Sequence, residues 1–169
     1  MENPVSPEKT PKKIDRGNEE ALRTIGRGRS SHWPTVEKAF RKLHPQCVCC
    51  VVPSTKHVQI HHRFPFHFCV ALGRADLELD MRNLITLCEW PSHPSPDHHL
   101  LIGHLDNFRS SNLDVAEDAV TFRGMTEAEI KKDARWVAKV KTRLAVLDEM
   151  TTKDKASFVK RMNATFPKK

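Results

Sequence analysis

Eight of the chain's ten histidines fall between residues 57 and 104, and its five cysteines flank or enter that stretch, Cys47, Cys49 and Cys50 before it and Cys69 and Cys88 within it. Imidazole is the commonest protein metal ligand and the side chain best suited to proton transfer near neutral pH. Cys47 and Cys50 form a C-x-x-C pair, the spacing that lets two thiolates reach one tetrahedral zinc ion. Cys88 supplies a third thiolate. His98 is the first choice for a fourth ligand because it directly precedes the next histidine cluster. His93 is the alternative, and Cys49 can stand in for Cys50. An odd number of cysteines beside histidines, without an export signal, reads as metal ligation rather than disulfide pairing.

The elements that must carry these residues follow from the pattern between them. His57 to His62 alternates, with Val58 and Ile60 on one face, and reads as a short strand ending in His61-His62. Adjacent strand residues point to opposite faces, so one histidine can enter a metal site while its neighbour reaches another position. Arg63 to His67 opens a loop, residues 69–82 are of mixed polarity, and Asn83 leads into a returning strand, Leu84 to Cys88. Three prolines in 89–96 forbid a regular element there. Asp97 then caps a short helix that Gly103 ends, leaving His104 just beyond. His99 and His104 lie about 140° apart on a continuous α-helix. They share an ion only if the helix tightens or breaks at Gly103.

C-x-x-C, His-His, Asn-Leu-Ile-Thr-Leu-Cys and His-His-x-x-x-Gly-His, in that order over roughly 45–112, resemble the HNH endonucleases. The resemblance implies an α+β fold: a small ββα-metal, treble-clef-like core with a structural zinc knuckle, flanked by an N-terminal helix and two C-terminal helices. By position, His61 stands at the first catalytic-metal ligand and His62 at the general base. Asn83 stands at the residue that ties the hairpin and orients that base, and His99 and His104 at the histidines completing the metal site. Cys47, Cys50 and Cys88 match the structural zinc ligands. Nine residues separate Cys88 from His98, so His98 is inferred to replace the family's fourth cysteine and 89–97 to be an insertion. Val51 stands where glycine often follows the knuckle.

The function implied is hydrolysis of phosphodiester bonds in DNA. His62, near its own pKa at cell pH, would deprotonate water, and an ion on His61, His99 and His104 would stabilise the phosphate and leaving group. An all-imidazole site suits Zn²⁺, Ni²⁺ or Co²⁺, and Mg²⁺ and Mn²⁺ stay candidates for turnover. Arg63 or His67 would steady the scissile phosphate. The competing reading is a non-catalytic, zinc-stabilised nucleic-acid-binding module. The resemblance implies a bacterial or phage origin, a Pro- and charge-rich N-terminus without a secretory apolar segment reads as cytoplasmic, and double-strand cutting would favour a homodimer.

Charge supports a polyanionic partner. The net +7 is uneven: +2 over residues 1–30, −2 over 31–122 and +7 over 123–169. These segments are read as a flexible basic arm, the nuclease core and a basic helical extension. In the arm, residues 19–25 read as a short helix, and Arg23, Arg27 and Arg29 could touch phosphates. Trp33 to His44 reads as a helix with Val36, Ala39, Phe40 and Leu43 on its buried face. Residues 113–125 read as irregular, with an extended piece at 119–122. A capping box at Thr126–Glu129 starts a helix to about Met150, with Ile130, Val137, Val140, Leu144 and Leu147 inward. Lys131, Lys132, Arg135 and Lys139 line another side as candidate DNA contacts. Thr151 or Thr152 caps a last helix, 153–164, with Phe158 and Met162 inward. No apolar run approaches the roughly 18 residues of a membrane span.

Overall fold

Strand β1 (Val58–His62) pairs antiparallel with β2 (Leu84–Cys88), in the register Val58↔Cys88, His61↔Ile85, His62↔Leu84. The computed structural model describes residues 16–51, 57–89, 96–143 and 146–168, with side chains from residue 19. The hairpin has two different faces. Ile60 and Leu84 pack against Trp33 and Phe40 of helix α2 (Trp33–Leu43). On the other face Ile85 and Leu87 join Leu101 and Ile102, which belong to a helical turn, His99–Gly103, following the hairpin. Among the described residues the architecture is α+β: one two-stranded sheet among helices.

The remaining helices close two cores around the hairpin. Val115 and Ala119 of α4 (Val115–Thr121), Ile130 of α5 (Glu127–Lys132) and Trp136 of α6 (Ala134–Lys141) are buried with Ile85, Leu87, Leu101 and the cysteines of the knuckle. The Trp136 indole donates to the Leu101 carbonyl at 3.0 Å, fastening α6 to the His99–Gly103 turn. A second core joins Phe64, Phe68 of α3 (Phe66–Ala71) and Leu77 to Phe158 and Met162 of α7 (Thr152–Thr165). Arg74 is 2% exposed there, and its guanidinium donates to Asp76, to the Asn163 side chain and to the Phe166 carbonyl. Residues of the 123–169 segment thus share both cores with those of 31–122. The short helix expected at 19–25 is α1 (Arg16–Ile25).

Several expectations need correction. His67 lies in α3, not in a loop. Residues 115–121 are helical rather than irregular, because Val115 and Ala119 recur at i, i+4 onto the core. The long helix expected from 126 to 150 is broken. Its capping box forms, but α5 ends at Lys132, and Asp133 (φ −66°, ψ 127°) turns its carboxylate to the Arg135 amide at 2.8 Å, starting α6. A second N-cap inside an otherwise periodic stretch overrides the periodicity. Leu147 sits in a separate 3-10 turn, and Leu144 lies outside the described residues. Leu43 is exposed, since α2 turns its Trp33 and Phe40 side to the hairpin. At α7, Thr151 and Asp154 form a reciprocal capping box, and Phe158 and Met162 are buried as expected. Among the described residues no helix is long and apolar enough to cross a membrane.

Candidate metal centre

The knuckle is built by the turn after α2, the end of β2 and the start of the next helical turn. Cys47, Cys50, Cys88 and His98 are all buried, with ligand atoms within 4.8 Å of one another. The Val48 amide donates to the Thr86 carbonyl, and the Gly124 amide to the Cys49 carbonyl, so the knuckle is pinned to β2 and to the chain after α4. Cys50 and Cys88 sulfurs are 3.8 Å apart, and His98 Nδ1 is 3.6 Å from Cys47, 3.6 Å from Cys50 and 3.1 Å from Cys88. Tetrahedral zinc at its usual bond lengths separates ligands by about 3.8 Å (S to S) and about 3.6 Å (N to S). Spacing and donor chemistry therefore fit a structural ion such as zinc.

The electrostatics agree. Donation from the Cys49, Cys50 and Cys88 thiols holds the Cys47 thiol far below its ordinary value, while Cys88 is driven up, chiefly by Cys47 and then by Cys50. The close sulfurs thus oppose one another's ionisation. Burial works against a charge on His98, but the sulfurs of Cys47 and Cys50 override it and push the imidazole up to about 9. A dication relieves this competition by accepting several thiolates together. Cys49, fully buried, is outside the four-ligand group and is driven up chiefly by its contact with Cys47. Cys50 therefore holds the position for which Cys49 was the alternative. His93 lies outside the described residues.

A second cluster sits on the other hairpin face. His61, His99 and His104 bring one ring nitrogen each within 4.8 Å of one another. Their ring centroids are 4.8–5.2 Å apart, with the planes nearly perpendicular. The five-residue spacing resolves neither by tightening nor by a break at Gly103, the two routes foreseen, but by widening: His99–Gly103 is a π-helical turn. A π turn closes i→i+5 and so returns residue 104 towards the side of residue 99. Gly103 is not the left-handed cap. Leu105 (φ 50°) and Asp106 (φ 64°) take that conformation instead, and the Asp106 amide donates to Leu100. Gly103 serves a close approach: a Cβ there would lie 3.1 Å from His61 Cε1 and 3.3 Å from Leu87 Cδ1.

Neighbours orient the three rings. His104 Nδ1 donates to the Ser110 carbonyl at 2.8 Å, leaving Nε2 for a ligand. Glu89 places an oxygen 3.6 Å from His99 Nδ1 while its other oxygen accepts from Gln59. Burial first, then His104 and His99, pushes His61 well below its ordinary pKa, so it is neutral, as an imidazole ligand must be. Glu89 and Ser110 were missed from sequence, and Gly103 was read as a helix end rather than as a close approach. A carboxylate directly after β2 was a usable signal for Glu89, whereas a backbone carbonyl partner leaves none.

His62, next along β1, faces the opposite side. Its Nε2 lies 2.8 Å from the Glu78 carbonyl, which only accepts, so Nε2 carries the hydrogen and Nδ1 is the bare nitrogen. An Arg29 guanidinium nitrogen is 3.4 Å from that Nδ1, with the guanidinium stacked between Trp33 and Phe66. Burial, then the Arg29 charge, pushes His62 down to about 3, which corrects the expectation of a pKa near cell pH. Asn83, fully buried, accepts from the Phe64 amide and donates to the carbonyls of Phe64 and Leu77, tying the chain just after His62 to the turn that carries Glu78. Arg27 pairs with the buried Glu78 at 2.8 Å.

The candidate phosphate contacts are scattered. Arg63 is mostly buried, 3.8 Å from Glu117 and over the Phe166 ring. His67 is buried with neither ring nitrogen hydrogen-bonded, 3.6 Å from a Glu20 oxygen. Lys131 pairs with Glu127 and Asp106, Arg135 with Asp133, and Lys139 with Asp114 and Asp118, while Lys132 is exposed. Three of the four helix cations thus carry internal ion pairs.

Comparison with protein-family models, with curated proteins and with solved structures gave no match.

Proposed function

We propose that the protein is a metal-dependent endonuclease of the HNH type, cutting phosphodiester bonds in DNA on a ββα-metal core. The observation that carries this reading is the pair of environments at the end of β1. His61 joins His99 and His104 in a cluster of three imidazoles, and the next residue, His62, keeps a bare Nδ1 because its Nε2 is committed to Glu78.

A divalent ion on the three histidines would supply positive charge to the scissile phosphate and the leaving 3′-oxygen. Three protein ligands leave coordination positions open, as a catalytic site requires. His62 Nδ1 takes the proton of the attacking water, and the Glu78 carbonyl holds the resulting imidazolium. A base at about 3 is weak at pH 7. An incoming phosphate raises it, since an anion beside an imidazole favours the charged form. The same phosphate draws the Arg29 guanidinium off Nδ1, so substrate binding itself readies the base. Asn83 holds the loop behind His62 and so fixes the ring's position. Lys132, with Lys131, Arg135 and Lys139 where their ion pairs open, supplies the longer-range attraction for the duplex.

The near-complete enclosure of His62, 5% exposed, favours the alternative of a zinc-stabilised binding module, and one assay separates the two. Protein purified with its zinc is mixed with supercoiled plasmid and Mg²⁺, Mn²⁺, Ni²⁺ or Zn²⁺, beside His62→Gln. Nicking that depends on added metal and falls at least about 100-fold in His62→Gln is the expected result. Plasmid binding without nicking under every metal would move the assignment to the binding module.

A further inference from the structure

A cleft of about 340 Å³ opens between α1 and the loop after His104, lined by Glu19, Glu20, Arg23, Phe108 and Arg109. Phe108 joins it to the three-histidine cluster: its ring centroid is 5.1 Å from His104 and 5.8 Å from His99. The ring is half-buried rather than sunk in either core. Arg23 and Arg109 are the exposed cations of the rim, at 56% and 65%. Glu20, less exposed, turns one oxygen towards His67 and Arg23.

This lining selects among occupants. A bare phosphate would face two carboxylates as well as two guanidinium groups. An apolar side chain would leave four charges against it. A nucleobase matches all three components: a π-face for Phe108, amino hydrogens for the carboxylates, and ring nitrogens or carbonyl oxygens for the guanidinium donors. The volume lies at the lower end of the range for small-ligand pockets, about 300–1,000 Å³.

We infer that this cleft receives one unstacked base of the DNA strand, next to the phosphate being cut, with Phe108 as its stacking platform. The inference rests on the nuclease reading, because the three-histidine cluster is what sets the cleft beside the scissile phosphate. It assigns Phe108 a role in choosing where the strand is cut, and makes α1 one wall of the substrate site.

The test uses 2-aminopurine scanned along single-stranded and duplex oligonucleotides, with full-length protein carrying its zinc and no other divalent ion. One position, adjacent to the cut mapped separately with metal, should show stacking-dependent quenching. In Phe108→Ala that signal should vanish and binding weaken on the order of tenfold, whereas Phe108→Trp should retain both. Metal-dependent cleavage with no responding position, or a response unchanged in Phe108→Ala, overturns the base subsite and leaves the nuclease standing. Absence of any oligonucleotide binding overturns both.

Discussion

His61 and His62 are sequence neighbours given different surroundings by the two faces of one strand. His61 meets two more imidazoles, and His62 meets Trp33, Phe66, Arg29 and a backbone carbonyl. Their doublet and its opposite-face geometry were legible in the sequence. The state of His62 was not, because the guanidinium beside it comes from residue 29 and its carbonyl partner from residue 78. That state has a pH consequence. His62 falls from an ordinary 6.5 to about 3 on folding, so between these values the unfolded chain binds the proton and the folded chain does not. Stability from this group is complete above 6.5 and lost as the pH falls towards 3, by up to about 1.4 kcal/mol per pH unit. Urea midpoints at pH 7.5, 6 and 5 should fall more steeply for wild type than for His62→Gln. Parallel profiles would show that His62 is not held neutral by the fold.

At the scale of elements, short range decided what could be read. The capping boxes at Thr126 and Thr151 and the N-terminal proline of α2 act within one turn, and each starts a helix where expected. The end of α5 is as local, yet Asp133 was hidden inside an apolar period that continues through Val137 and Val140. The π turn lay beyond sequence reading. Its extra residue is accommodated by packing, with the Asn112 side chain donating to Ile102 and the Asn112 amide to Gly103. Gly103 is the position where that geometry can be probed. Gly103→Ala sets a methyl against the His61 ring and Leu87 at 3.1–3.3 Å, an overpacking cost of about 1–3 kcal/mol. Co²⁺ titration should show the sulfur-rich centre filled normally and the histidine centre weakened about 10-fold or more. Equal affinity at both centres would remove Gly103 from any part in shaping the histidine cluster.

Among the described residues three apolar clusters hold the fold; the two larger each draw on distant parts of the chain, and the knuckle lies inside the largest. Cys47, Cys50 and Cys88 are packed with Phe122, Ile130 and Trp136. An ion there organises more than four side chains. Stripping it with a strong chelator at pH 7 should lower the thermal midpoint by on the order of 10 °C or more. Cys88→Ser should reproduce that loss, and His99→Gln should not. An unchanged midpoint after verified metal removal would make the cluster a set of buried thiols only. The basic charge of the C-terminal third was plain in composition, but its pairing was not. Lys139 and Arg161 converge on Asp114, so part of that charge holds α4, α6 and α7 together.

The two-core arrangement also sets an order of events at synthesis. Every candidate ligand, from Cys47 to His104, is made before Ile130 and Trp136, the residues that later enclose the knuckle. A chain still growing on the ribosome therefore presents its thiols and imidazoles before the shell that shields them exists. Closure of the larger core by α5 and α6 thus follows the last candidate ligand, and α7, whose Asn163 accepts from the Arg74 guanidinium, completes the other core, which holds none of these ligands.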